Sequence, residues 1–404
     1  MPIGRATPGN APSTASGIHA FCSRWLQGRG AALPRDRQQR RRISAYGYTQ
    51  AKALVYSRYG EPEDVLSLHT HSISPAHSTR LTLRFLASPL NPADINQIQG
   101  LYPSRPQFTS ALGTAQPSAV AGNEGVAEVI SSGSAVRTVQ KGDWVLMKRV
   151  AFGTWRTHAE AEESDVLRVE KDGVTPVQAG TVSVNPCTAY RMLKDFYPLQ
   201  PGDWFVQNGA NSGVGRAAIQ LGKRWGYRSI NVVRDRPGIE DLKKELLDLG
   251  ADHVVTEDEI LKKSFAEEVK EWTRGGRESV MLALNCVGGQ PTTALTKVLS
   301  PGAYMVTYGA MAKKPLQLPP SALIFRDLRF HGFWVSQWAD AHPEEKKRTV
   351  DEILEMTRKG EFSDMPVTEV KWGWETKEEA LKEAVKGTLE GFRKGKGVFV
   401  YRDE

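Results

Sequence analysis

The chain has 404 residues, is 40% hydrophobic and 25% charged, and so has an ordinary globular composition at a length that favours two domains. Its formal charge of +7 sits in residues 1–45, where eight arginines face one acid, Asp36; the remainder is near neutral, which excludes a basic nucleic-acid surface. Three scattered cysteines (Cys22, Cys187, Cys286) exclude a disulfide scaffold and a Cys-x-x-Cys zinc knuckle, and no apolar run reaches the ~18 residues of a membrane-spanning helix.

Residues 1–45 are rich in Arg, Ala, Ser, Gly and Pro and almost free of acids. That composition predicts an organellar transit peptide, with a basic tail as the other reading. Arginine outweighs serine, which favours a mitochondrial address. After it, Lys52–Tyr56 predicts a strand, Gly60-Glu61-Pro62 a turn, and Val65–Leu68 a second strand. Leu81–Ala87 alternates in the strand period. Ser88–Pro103 opens on two prolines and predicts a short helical turn ended by Gly100, leaving Tyr102 on a loop. Further strands follow Gly122 and Asp143. Many short strands with frequent turns predict an all-β, barrel-like domain to about residue 180.

Residues 178–193 predict helical segments broken at Asn185-Pro186. From 203 the chain alternates. Strands are expected at 203–208, 229–233, 253–255, 280–285 and 302–307, and helices near 213–226, 239–249, 259–273 and 291–299. A polar helix near 343–360 and a last strand at 397–401, returning to the first domain, follow. The fold class is therefore α/β, with a doubly wound parallel sheet in the second domain.

Asp203–Asn208 leads into Gly209-Ala210-Asn211-Ser212-Gly213-Val214-Gly215 and then an amphipathic run. Such a turn serves plain tight packing or a bound diphosphate. Its place after the first strand of the alternating unit, at a helix start with free N–H donors, favours the diphosphate. The next strand ends in Arg234-Asp235-Arg236. Arginine at this distance suits a 2′-phosphate and hence NADPH, although Asp235 could take the ribose hydroxyl and both arginines could merely solvate a turn.

Four stretches carry a resemblance: Asn91–Pro103, Val184–Leu193, Asn208–Gly215 and Asn231–Pro237. On these, residues 50–404 resemble the mitochondrial trans-2-enoyl-thioester reductases of the medium-chain dehydrogenase/reductase superfamily. The resemblance implies a GroES-like β-barrel catalytic domain (46–180), an inserted Rossmann NADPH-binding domain (181–338) and a return to the catalytic domain (339–404). It makes Tyr102 the catalytic residue. It assigns cofactor contacts to Asn185, Asn211, Ser212, Gly213, Val214, Arg234, Asp235, Arg236, Tyr308, Gly309, Ala310, Met311, Phe333, Trp334, Val335 and Lys396. The superfamily's zinc enzymes carry Gly-His-Glu where this chain has Gly122-Asn123-Glu124, so no metal site is expected. The implied activity is reduction of trans-2-enoyl thioesters on acyl carrier protein or coenzyme A, in the mitochondrial matrix, by a homodimer with no membrane insertion. A zinc-free quinone oxidoreductase and a binding module on a retired reductase fold are the other readings.

Overall fold

The computed structural model describes residues 47–388 and 395–402. The Arg-rich segment 1–45 lies outside the described residues. Eight strands come first: β1 (Thr49–Tyr56), β2 (Ser67–Ile73), β3 (Arg80–Pro89), β4 (Ala119–Val120), β5 (Val126–Ser132), β6 (Trp144–Met147), β7 (His158–Glu162) and β8 (Val166–Val169). β1 pairs antiparallel with β2 and β4, while β3 pairs with both β5 and β7. Leu81, Leu83 and Phe85 of β3 share one buried cluster with Ala127, Val145 and Ala159. Period-2 alternation of β3 thus supplies an inward face for its neighbours.

The next six strands are β9 (Trp204–Asn208), β10 (Arg228–Val233), β11 (His253–Thr256), β12 (Val280–Asn285), β13 (Tyr304–Thr307) and β14 (Arg329–Gly332). They form one parallel sheet in the order β11-β10-β9-β12-β13-β14. This is the doubly wound dinucleotide-binding order, with its switch point beside β9. Each face has its own core. Phe205, Leu282, Leu284 and Val306 pack with the helices Gly213–Arg224 and Pro343–Arg358, while Trp204, Val206, Ala283 and Met305 pack on the other side with Phe265 and Leu295. Finally β15 (Val367–Trp372) lies parallel to β16 (Lys396–Tyr401), and β16 pairs with β3, so the chain end closes onto the first sheet.

Four local expectations are corrected. Residues 62–65 form a short helix, and the second strand begins at Ser67, because Pro62 suits a helical first turn. The break near 185 falls earlier: Pro176–Gly180 and Asn185–Asp195 are the helices, and Pro186 starts the second rather than interrupting it. The helix expected over 259–273 is two, Glu257–Leu261 and Phe265–Trp272. Thr256 caps the first, its Oγ1 accepting from Glu259 N at 3.1 Å. The strands β14 and β15 have no counterpart in the sequence reading.

Candidate active site

Gly209 turns the chain at the end of β9 with φ +60, in the left-handed region. Ser212 then caps the helix Gly213–Arg224, its Oγ accepting from Gly215 N at 3.1 Å. A Cβ on Gly215 would sit 2.5 Å from the Ala210 carbonyl oxygen, and one on Gly213 would sit 2.7 Å from the Asn185 amide nitrogen. Buried amides brace the turn from below. Gln207 Nε2 donates to Asn231 Oδ1 at 2.7 Å and to Gly215 O at 2.9 Å, and Asn208 Nδ2 donates to Asn285 Oδ1 at 2.8 Å. Asn211, Ser212, Gly213, Arg236, Met365 and Lys396 line one open cleft above it. The Val214 side chain instead packs into the core.

Arg234 and Asp235 are exposed at the end of β10, and Arg236 is half-buried. None of the three makes an ion pair or side-chain hydrogen bond with another described residue. By contrast, Arg216 in the same cleft is held by both Glu245 oxygens, at 2.8 and 2.9 Å. Arg236 thus keeps its guanidinium available to the cleft, as a bidentate phosphate partner must.

The segment 308–311 divides. The Tyr308 hydroxyl is buried beside Cys286 and Ser212 with no hydrogen-bond partner, and burial pushes its pKa well above the ordinary tyrosine value. A buried hydroxyl left without a partner at the glycine turn fits a nucleotide whose oxygens would satisfy it. Gly309 packs against Cys286, while Ala310 and Met311 are exposed. Among the described residues both free thiols are buried, and burial pushes Cys187 up to about 12 and Cys286 up to about 11.

Tyr102 follows the helix Pro92–Ile98. Gly100 at φ +75 reverses the chain, and Leu101 N and Tyr102 N both donate to Asn96 O, at 2.8 and 3.1 Å. Trp334 Nε1 donates to the Tyr102 hydroxyl at 2.7 Å, the two rings meeting edge to face with centroids 5.7 Å apart. An indole N–H can only donate, so the Tyr102 oxygen accepts and its own proton is left for another acceptor. Tyr102 and Val335 line one cavity with Asn91, Asn123, Val184 and Lys346. Phe333 turns away and packs edge-on against Phe196.

The two sites share a wall. Val184 lines the Tyr102 cavity while Asn185 rests against Gly213. Lys396 lines the cleft at the glycine turn, but its ammonium donates to Asn91 Oδ1, and Asn91 Nδ2 donates to Glu124 Oε2 at 2.9 Å. Glu124 also accepts from Val184 N at 2.8 Å, and Asp94 accepts from Asn91 N at 2.7 Å. Burial pushes the Asp94 carboxyl up to about 6, raises Glu124, and lowers Lys396. Sequence reasoning singled out Lys396, as a cofactor contact, and missed its buried partners Asn91, Asp94 and Glu124. Their one local signal is Asn91-Pro92-Ala93-Asp94, the spacing of a capped helix start.

Residues 77–186 match the family model described as alcohol dehydrogenase GroES-like domain, and residues 213–357 the one described as zinc-binding dehydrogenase. The mitochondrial enoyl-[acyl-carrier-protein] reductase of Yarrowia lipolytica is 48% identical over 316 residues, which cover 78% of this chain and 82% of that one. The chain belongs to the mitochondrial enoyl-[acyl-carrier-protein] reductase family. Among solved structures, the Etr1p/NADP/crotonyl-CoA complex matches this enoyl reductase with a TM-score of 0.83 at 38% identity, over 87% of this chain and 100% of that one. The mitochondrial 2-enoyl thioester reductase Etr1p/Etr2p heterodimer from Candida tropicalis gives the same TM-score, 0.83, at 39% identity, with 87% and 100% covered. Among the described residues of the reductase, no three His, Cys, Asp or Glu side chains group to hold a metal ion. No helix among them is long and apolar enough to cross a membrane.

Proposed function

We infer that this reductase converts trans-2-enoyl thioesters to saturated acyl thioesters with NADPH, in mitochondrial fatty acid synthesis. The observation that carries the reading is the Trp334–Tyr102 hydrogen bond on a cavity that shares a wall with the glycine turn. NADPH, when bound, supplies a hydride for C3 of the double bond. The residues of the chain do the rest. Asn211, Ser212 and Gly213 offer the diphosphate a helix start, and Arg236 with Arg234 neutralises the 2′-phosphate. Asn185, Tyr308 and Trp334 with Val335 bound the space between turn and cavity. Negative charge develops on the thioester oxygen as C3 is reduced, and C2 then takes a proton. Tyr102, its oxygen already accepting from Trp334, directs its proton into the cavity and serves as donor or enolate partner.

The assay is NADPH oxidation with crotonyl-CoA and longer trans-2-enoyl-CoA esters, with a quinone as control. Turnover with the enoyl esters is expected; turnover with the quinone alone would overturn the reading. The carrier follows from the same reading: phosphopantetheine is common to acyl carrier protein and coenzyme A, so both are substrates.

A matrix location and a homodimer complete the reading. Residues 1–45 act as the cleaved presequence, so protease protection of the processed protein in intact mitochondria is expected, and cytosolic retention of the full chain would refute it. The dimer is supported by β14 at the sheet edge and by Leu323, Ile324 and Phe325 beside it, with Phe325 80% exposed. Light scattering should give twice the chain mass, and Phe325→Glu should shift it to one.

A further inference from the structure

We propose that the Asn123 carboxamide is a positioning residue that holds both walls of the Tyr102 cavity at their working separation. One wall carries Tyr102. Asn123 Nδ2 donates to Asp94 Oδ1 at 2.7 Å and to Gln97 Oε1 at 3.1 Å, both on the helix that precedes the tyrosine. Gln97, 1% exposed, passes the constraint on: its Nε2 donates to Ser104 O at 2.9 Å, two residues beyond Tyr102. The Tyr102 loop is thereby tied at both ends, by Asn96 O before the ring and by Gln97 after it.

The other wall is the segment Lys148, Arg149 and Val150, which lines the same cavity as Tyr102. It ends at Ala151, whose φ of +63 is a left-handed conformation that an alanine adopts only at a cost of about 1–2 kcal/mol. Ala151 N donates to Asn123 Oδ1 at 2.6 Å. That bond offsets the strain and fixes where the segment turns. One side chain therefore bonds the two walls at once, through opposite ends of its amide.

The residue type follows from the partners. Ala151 N can only donate, and an ionised Asp94 can only accept, so the bridging group needs an acceptor on one end and a donor on the other. A carboxylate at 123 would lose both donated bonds and confront Asp94. An alkyl group would leave Ala151 N and Gln97 Oε1 unpaired in a cavity wall.

This inference rests on the reading of Tyr102 as the group that acts on the substrate, and the test separates the two. In the full chain, kcat and KM for crotonyl-CoA and the Kd for NADPH are measured for wild type, Tyr102→Phe, Asn123→Ala and the double variant. Misplacing a reacting group by about 1 Å costs up to about 100-fold. Asn123→Ala is therefore expected to lower kcat by a factor in that range with NADPH affinity unchanged. In the Tyr102→Phe background the same change should cost almost nothing, because the group it positions is gone. A wild-type kcat for Asn123→Ala, or an equal loss with and without the Tyr102 hydroxyl, overturns the proposal. Unchanged turnover in Tyr102→Phe alone overturns the Tyr102 reading and the proposal with it. Should Asn123→Ala not fold, Gln97→Met keeps the side-chain volume and removes the Ser104 strap and the Asn123–Gln97 bond, while Asn123 keeps its bonds to Asp94 and Ala151. It is expected to show the same non-additivity, and additive losses there count against the proposal.

Discussion

Trp334 reaches across 232 positions of sequence to donate its indole N–H to the Tyr102 hydroxyl at 2.7 Å. One partner follows the last strand of the dinucleotide-binding sheet and the other sits on a loop of the β domain. The bond fixes the ring and also the polarity of its hydroxyl. Trp334→Phe keeps an aromatic ring but no donor, so the Tyr102 proton loses its direction. One hydrogen bond of about 1 kcal/mol predicts a several-fold fall in kcat. Tyr102→Phe removes the hydroxyl proposed as proton donor or enolate partner and should cost about 10²- to 10⁴-fold. Steady-state rates with crotonyl-CoA check both, and the order of the two losses is the decisive result.

Arg236 and Arg234 have no ion-pair partner among the described residues, and Arg236 lines the cleft at the glycine turn. A charge-assisted bond contributes about 1.5–3 kcal/mol. Arg236→Gln should therefore raise the KM for NADPH by about 10- to 100-fold. The KM for NADH, which has no 2′-phosphate, should barely move. Parallel assays with the two nucleotides test this. An equal loss with both would mean that Arg236 supports the fold rather than reading the phosphate.

Gly215→Ala places a Cβ 2.5 Å from a backbone oxygen of Ala210, inside contact distance of atoms that cannot move aside. Overpacking of this kind costs about 1–3 kcal/mol. The helix start must then lift from the turn, which breaks the Ser212 cap and displaces the N–H donors. A lower melting temperature and weaker NADPH binding are expected together. A variant that melts earlier yet binds NADPH normally would separate packing from phosphate recognition.

The parallel sheet was legible because its signals are local. Trp204, Phe205 and Val206 are apolar on both faces, and the glycine spacing after them marks the turn. β14 and β15 were not, since they are partly exposed strands: Arg329–Gly332 and Val367–Trp372 carry charges where a buried strand would carry aliphatics. A loop tyrosine has no pattern of its own, so spacing alone said nothing for Tyr102, and only the resemblance of Asn91–Pro103 singled it out. The contact of Lys396 with Asn91 spans 305 positions and leaves no periodic trace.

Asp94 supplies a pH dependence whose sign can be worked out. Its carboxyl is fully buried, with Glu124 and Lys396 as charged neighbours, and burial raises it from an ordinary 3.8 to about 6. Between these values the folded chain binds the proton more tightly than the unfolded chain does. The stability this gives is complete below pH 4 and is lost as pH rises through 6. Glu124, also raised by burial, acts in the same direction. In Asp94→Asn the titrating group is gone, although one of the bonds to Asn91 and Asn123 is weakened at every pH. The melting-temperature difference, wild type minus variant, should therefore shrink as pH rises from 4 to 6 and then level off. A difference that stays flat over that window, or grows, would mean that Asp94 titrates at its ordinary value and that its burial is relieved by water.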